Sequence, residues 1–303
     1  MTSFVFPGQG SQTAGMAKDF YDNFELVRLI FEEIEDYTKI NLKKIIFNEN
    51  EKELNLTKFT QISIFTASYA IFKTFCNETG QENKNFNVMM GHSLGEYTAL
   101  ACSNKISLKE CSLILKKRGE LMNNAVIPNQ TGMAALIGKD SITIQNIIDK
   151  NYLKIEIAND NSNIQIVISG KIDEIKNSKE LFIKNGVKKF VILNVSAAFH
   201  SKFMIEAQEE LSQDIDKIFF KENDIKIISN FDASINSDSL NIKNNLKNQM
   251  ANKVNWTQSI KTLEGMGEKK IVEIGPNKVL SGLIKRISNS FDIISIDKIS
   301  DLN

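Results

Sequence analysis

Cysteine, histidine and proline are all scarce in this chain of 303 residues, which holds three, two and three of them. The cysteines, Cys76, Cys102 and Cys111, are odd in number, and no two share a CxxC spacing. Cys102 and Cys111 lie in apolar surroundings and read as small buried hydrophobes. With only His92 and His200 besides, little is left from which to build a protein metal site. This thiol usage suits a reducing, cytoplasmic setting. Net charge is absent as well: Lys+Arg and Asp+Glu number 37 each. There is no long charge block, so composition gives no reason to expect a nucleic-acid or membrane partner. No apolar run is long enough to span a bilayer. No leader peptide is expected, because Ser3–Phe6 already reads as a strand. Internal repeats and low-complexity linkers are missing too. The excess of Asn, Ile and Lys over Pro fits an AT-rich genome and says nothing of function.

What remains is an ordinary globular composition, 42% hydrophobic and 24% charged, over a length that suits one large domain or a large and a small one. After Ser3–Phe6 comes a tight turn, Pro7-Gly-Gln-Gly-Ser-Gln12, then a long amphipathic helical region through Phe20, Leu26, Ile30 and Ile34. Helical patterns continue over Phe59–Phe75. From Met133 to Val195 the pattern changes. Strands are expected at Met133–Ile137, Lys154–Ile157, Ile164–Ile168 (alternating Ile164, Ile166, Ile168) and Val187–Val195. Helices are expected at Ser141–Lys150 and at Ile172–Asn185, the latter ended by Gly186. That order, β-α-β-β-α-β, is ferredoxin-like. It reads as a small domain over 128–195 inserted in a large α/β domain of 1–127 and 196–303, with Pro128 suiting the boundary. The chain returns to the large domain through a Gly275-Pro-Asn277 turn and a helix at Val279–Ile287.

Gly91-His-Ser-Leu-Gly95 matches G-x-S-x-G, the nucleophile elbow, between the apolar run Phe86–Met90 and a helix-like Glu96–Cys102. The elbow holds Ser93 at a sharp turn, and the helix N-terminus offers N–H groups to developing negative charge. The alternative for Ser93 is a helix-capping serine. A serine hydroxyl needs a base. His92 is adjacent and points elsewhere. His200 ends Ser196-Ala-Ala-Phe-His200, just past the small domain, where a side chain can face a cleft. A hydrogen-bonded structural histidine is the alternative. No acidic residue stands out between Ser93 and His200, so a neutral acceptor is expected to orient the imidazole. Two donors are needed for an oxyanion. Leu94 N–H is one, and the Pro7–Gly10 turn is a source for the other. The glycines of that turn do not have dinucleotide spacing.

Arg118 falls on the apolar stripe Leu108, Cys111, Leu115, Arg118, Met122 of an expected helix, Leu108–Met122, while Lys116 and Lys117 lie off it. A guanidinium on a core-facing stripe binds carboxylates in bidentate fashion. It suits an acyl group that ends in a carboxylate. A structural ion pair or a snorkelling arginine are the alternatives.

These segments resemble the malonyl-CoA:acyl carrier protein transacylases and the acyltransferase domains of fatty-acid and polyketide synthases. The matching landmarks are Phe6–Gln12, Thr60-Gln61, Gly91–Glu96, Arg118-Gly119, Gly132–Gly138, Ala197–Ser201 and Glu273–Leu280. They come in the family's order and span nearly the whole chain. The resemblance implies a large α/β-hydrolase-like domain with a parallel sheet and an inserted ferredoxin-like small domain. It implies Ser93 as nucleophile, His200 as base, the Gln9 and Leu94 amides as oxyanion hole, and Arg118 as partner of the malonyl carboxylate. Gln249, aligned through Leu246–Gln249, would orient His200 by its backbone carbonyl. The Ala-Phe-His form resembles malonyl-selective members. No permanently bound cofactor is implied. Malonyl-CoA is a substrate, and the partner is holo acyl carrier protein, for which Lys188, Lys189, Lys278, Lys285 and Arg286 are candidate docking residues. The sequence departs from the family at Asn163-Ile164, at Lys253 and at Ile62-Ser63. The rival functions are a serine esterase or thioesterase, a proofreading acyl hydrolase, and a carrier-docking protein without catalysis. A chain with no attached synthase domain is expected to serve a dissociated fatty-acid pathway.

Overall fold

The computed structural model describes residues 2–49, 51–81, 86–127 and 129–302. Pro128, taken above as the start of the small domain, lies outside the described residues.

Strand β1 (Thr2–Phe6) alternates: Phe4 and Phe6 face one apolar cluster and Val5 faces another. Both faces of the strand are therefore buried, as in a sheet covered by helices on each side. The expected long helix is two, α1 (Lys18–Asn23) and α2 (Glu25–Thr38), broken at Phe24, whose backbone is extended. Arg28 explains why the break is tolerated. Its Nη1 donates to the Tyr21 and Asp22 carbonyls left open at the end of α1, at 2.9 and 3.2 Å, as helix ends require. After the short α3 (Leu42–Ile46), helix α4 (Thr57–Thr79) is buried almost all round. Its Thr66 and Thr74 hydroxyls survive burial by donating to carbonyls one turn back, at 2.8 and 2.9 Å. Then come β2 (Phe86–Gly91), α5 (Leu94–Cys102) and α6 (Leu108–Asn124), with α4 packed between α2, α5 and α6.

Next are β3 (Thr131–Ile137), α7 (Ser141–Lys150), β4 (Ile155–Ser162), β5 (Gln165–Lys171), α8 (Ile172–Lys184) and β6 (Lys189–Ile192). They form a four-stranded sheet of order β4-β5-β3-β6, antiparallel throughout, with its own core of Leu136, Ile144, Ile166, Ile168 and Phe182. The connectivity is the one read from the sequence, but all four strand bounds differ, β3 by starting at Thr131 and not Met133. β4 runs on through the polar Asn159–Ser162. There the large sheet's neighbours supply partners: Asn159 bridges Val254, and Thr257 donates to the Asp160 carboxylate at 2.6 Å. Ile164 is not part of the β5 alternation; it sits in the turn and is 43% exposed, while Ile166 and Ile168 are buried. β6 stops at Ile192, because Leu193 and Val195 leave the sheet to line a cleft.

The chain returns through α9 (Ile205–Lys217), β7 (Lys226–Ile228), β8 (Ile235–Asn236), α10 (Ser239–Lys247), α11 (Trp256–Gly265), β9 (Lys270–Ile274), α12 (Val279–Ile287) and β10 (Asp292–Ile296). The large sheet has the order β10-β9-β1-β2-β7-β8. It is parallel except at one edge, where β8 runs antiparallel to β7. The expected parallel sheet is thus a mixed one. The edge strand β8 follows β7 across a short hairpin, and a hairpin reverses direction. No helix among the described residues is long and apolar enough to cross a membrane.

Candidate active site

The carboxyl ends of β1 and β2 lie side by side in the sheet, Phe6 opposite Gly91. Clefts in parallel sheets form at such strand ends. The turn after β2 is the elbow. Ser93 has φ 53° and ψ −109° and N-caps α5 without using its side chain, so the capping alternative fails and the hydroxyl is free for other work. A non-glycine residue at positive φ is strained and must be held from outside. Asn230, just beyond β7, holds it: Ser93 N–H donates to Asn230 Oδ1 at 2.6 Å, and Asn230 Nδ2 donates to the Gly91 carbonyl at 2.7 Å. Gly95 lets the elbow approach β1, since a Cβ there would strike the Phe6 carbonyl.

His200 reaches the serine from 107 residues away; Ser93 Oγ and His200 Nε2 are 2.8 Å apart. The loop carrying it is pinned to the small sheet, with Ser169 Oγ donating to the Phe199 carbonyl at 2.7 Å and Ala198 N–H to Thr131 Oγ1 at 3.1 Å. Nδ1 faces two carbonyls, those of Gln249 and Asn252, each at 3.1 Å. Carbonyls only accept, so Nδ1 carries the proton, and Nε2 offers its lone pair to the Ser93 hydroxyl. Burial first, then the nearby Arg118 and His92, push His200 down to about 3. The imidazole is thus neutral at neutral pH, as a base must be. His92 points away, bonded through Nε2 to Asn161 Oδ1 at 2.8 Å.

Arg118 is 1% exposed, on the buried stripe of α6. It neither snorkels nor forms an ion pair among the described residues. Its guanidinium donates to three neutral oxygens instead: Nη1 to Gln61 Oε1 at 2.6 Å, and Nη2 to Gln249 Oε1 at 2.9 Å and to Ser93 Oγ at 3.1 Å. It also lies 5.3 Å over the Tyr97 ring. Nε has no partner among the described residues. A buried cation satisfied only by neutral dipoles is poised to take an anion.

Gln9, Ser93 and His200 line one narrow cleft of about 80 Å³, together with Met133, Leu193 and Val195 of the small-sheet region. No acceptor among the described residues takes the backbone N–H of Gln9 or of Leu94. The structure therefore brings Ser93, His200, Gln249, Arg118, Gln9 and Leu94 to one place. Four residues were missing from the expected set. Gln61 was noted only as a landmark and Glu96 only as the end of the elbow motif. Asn230 and Asn252 carried no local signal. No cluster of His, Cys, Asp and Glu among the described residues could hold a metal ion.

Residues 3–298 match the family described as the acyl transferase domain. The chain is 36% identical to the malonyl CoA-acyl carrier protein transacylase of Bacillus subtilis strain 168 over 97% of its own length and 92% of that protein's. Its fold is similar to the crystal structure of an acyl carrier protein S-malonyltransferase from Vibrio cholerae, with a TM-score of 0.92, 32% identity and coverage of 99% and 98% of the two chains. It is also similar to a malonyl-transacylase seen in complex with its type II polyketide acyl-carrier protein, with a TM-score of 0.94, 32% identity and coverage of 99% and 97%. With the elbow serine, its histidine and the family match in agreement along the chain, this protein belongs to the acyl transferase family, among the malonyl CoA-acyl carrier protein transacylases.

Proposed function

We propose that this chain transfers the malonyl group of malonyl-CoA to the phosphopantetheine thiol of holo acyl carrier protein, through an ester on Ser93, and so supplies fatty-acid synthesis. One observation carries the reading. Arg118, a buried guanidinium with no carboxylate partner among the described residues, lies 3.1 Å from the hydroxyl of a serine already bonded to a neutral histidine. An ester hydrolase for neutral acyl groups has no use for that cation.

In the mechanism, the malonyl carboxylate exchanges for neutral oxygens on Arg118. Ser93 Oγ attacks the thioester carbonyl as its proton passes to His200 Nε2. The Gln9 and Leu94 amides receive the oxyanion. The C–S bond breaks, and coenzyme A leaves with the proton from His200. The carrier thiol then gives its proton to His200 and attacks the malonyl-serine ester, and Ser93 leaves with that proton. The Gln249 carbonyl keeps Nδ1–H in place through both halves. This is ping-pong covalent catalysis. Each step runs on groups of this chain, and coenzyme A enters only as part of the substrate.

We assign residues 1–127 and 196–303 to the catalytic domain and 128–195 to the small domain that walls the cleft. The exposed Lys188, Lys189, Lys278, Lys285 and Arg286 are suited to meet an acidic carrier. Three free thiols, two of them buried, suit a reducing cytoplasm. The test is an intact mass spectrum after brief exposure to malonyl-CoA, for wild type and Ser93→Ala, followed by addition of holo carrier. One malonyl group gained by wild type alone and passed to the carrier supports the reading. Free malonate without an adduct would replace it with a hydrolase.

A further inference from the structure

Glu96 is fully buried, on α5, one turn past the nucleophile, and the mechanism above gives it no task. A buried carboxylate is costly unless bonded, so its partners say what it is for. Oε2 alone takes two donors: Gln249 Nε2 at 2.7 Å and the backbone N–H of Asn230 at 3.1 Å. Oε1 has no partner among the described residues.

The two donors belong to the two halves of the site. Asn230 clamps the strained elbow through Ser93 N–H and the Gly91 carbonyl. Gln249 orients His200 by its backbone carbonyl, and its side chain accepts from Arg118 while donating to the Ser93 carbonyl at 2.9 Å. Among the described side chains only the Glu96 carboxylate bonds both, while Ser93 meets them through its own backbone. It also fixes which way the Gln249 amide points: a carboxylate accepts only from the NH₂ end, which leaves the oxygen for Arg118. We propose that Glu96 is a positioning residue, whose single oxygen between Asn230 and Gln249 holds the nucleophile, the base and the carboxylate anchor in one register. Burial raises Glu96 to about 7 against the pull of Gln249, Asn230 and Arg118, so a neutral side chain of the same shape can do the same work.

The part of this proposal that concerns acyl choice rests on the malonyl-transfer reading; the part that concerns Ser93 and His200 does not, and the test separates them. Ser93 is labelled with a fluorophosphonate, which needs only the nucleophile and its base, and is acylated in parallel with malonyl-CoA and acetyl-CoA. Rates are counted per folded molecule. Glu96→Ala is expected to lose about 10–100-fold in labelling and in malonyl transfer, and to narrow the preference for malonyl over acetyl. Glu96→Gln, whose carbonyl oxygen can take both donors, should recover most of that loss. A folded Glu96→Ala that labels at the wild-type rate and keeps its acyl preference overturns the proposal; a purely structural role would lower the melting temperature and leave both readouts alone. Should alanine prevent folding, Glu96→Asp decides: one methylene short of Gln249, it must lose labelling, and wild-type behaviour overturns the proposal. Normal labelling of wild type without any malonyl adduct would sink the functional reading, while the labelling rates still judge Glu96.

Discussion

Replacing Arg118 by methionine keeps the length and most of the volume of a side chain that is 1% exposed, and removes every donor. In the resting site the change costs three bonds to neutral oxygens, on Gln61, Gln249 and Ser93. With malonyl-CoA it costs more, because the substrate carboxylate is then buried without a partner. Removing one member of a buried charge pair costs about 3–5 kcal/mol. At about 1.4 kcal/mol per factor of ten, malonyl kcat/KM should fall by between about two and three and a half orders of magnitude. Acetyl-CoA brings no carboxylate and loses only the help that Arg118 gives Ser93 Oγ, on the order of tenfold for one charge-assisted hydrogen bond. The malonyl-to-acetyl ratio should therefore drop at least tenfold. The assay is transfer from each acyl-CoA to holo carrier protein, with active sites counted by fluorophosphonate. Equal losses for both acyl groups would show that Arg118 only supports the nucleophile, and the anchor argument would fall.

His200 is held near 3 by burial, Arg118 and His92, so the acid limb of fluorophosphonate labelling should lie well below pH 6.5. Arg118→Met should move that limb upward, and a limb that stays put would remove the electrostatic link between them. Because the folded His200 is depressed below its ordinary value, its contribution to stability is present above pH 6.5 and lost as pH falls toward 3, which urea unfolding across that window should register. Asn230→Ala strands Ser93 N–H and the Gly91 carbonyl, both buried, at about 1–3 kcal/mol each; denaturant midpoints should fall accordingly, and labelling should fall with them as the elbow relaxes. Glu96 is raised from 4.5 to about 7, so its proton favours folding below pH 4.5 and that help fades as pH rises through 7. Glu96→Gln does not titrate, and its melting temperature relative to wild type should climb between those two pH values; a constant difference would show that the fold does not raise the carboxyl above its ordinary range.

Much of this was written locally. The elbow at Gly91–Gly95 lies between an apolar strand and a helix, and local sterics demand that shape of a G-x-S-x-G turn. Arg118 interrupts an apolar stripe at helical spacing, so its place on the core-facing side was legible along one helix, while its burial rather than snorkelling was not. The β-α-β-β-α-β order followed from changes of period between Met133 and Val195. Strand ends were less legible: β4 extends through Asn159–Ser162 because it meets Val254 and, on α11, Thr257, both distant in sequence, and β6 stops early because Leu193 and Val195 turn into the cleft. Leu94 N–H followed from its place just after Ser93 and the Pro7–Gly10 turn was a source of the second donor, but the choice of Gln9 within that turn and the part of Gln249 came from likeness to a family. What only the tertiary structure decided is how the groups meet. His200 is turned by two carbonyls, Arg118 rests on neutral oxygens, Asn230 clamps the elbow, and Glu96 joins that clamp to Gln249. The partners in those contacts are between 49 and 153 residues apart, Arg118–Ser93 at 25 excepted. A hydrogen bond over that span leaves no mark on the neighbours of either residue. The sequence by itself determined the order of the elements and the candidate side chains of the site, because those depend on local sterics and on the period of burial; the protonated nitrogen of His200, the neutral partners of Arg118 and the tie at Glu96 arise only where the sheet brings distant strand ends together.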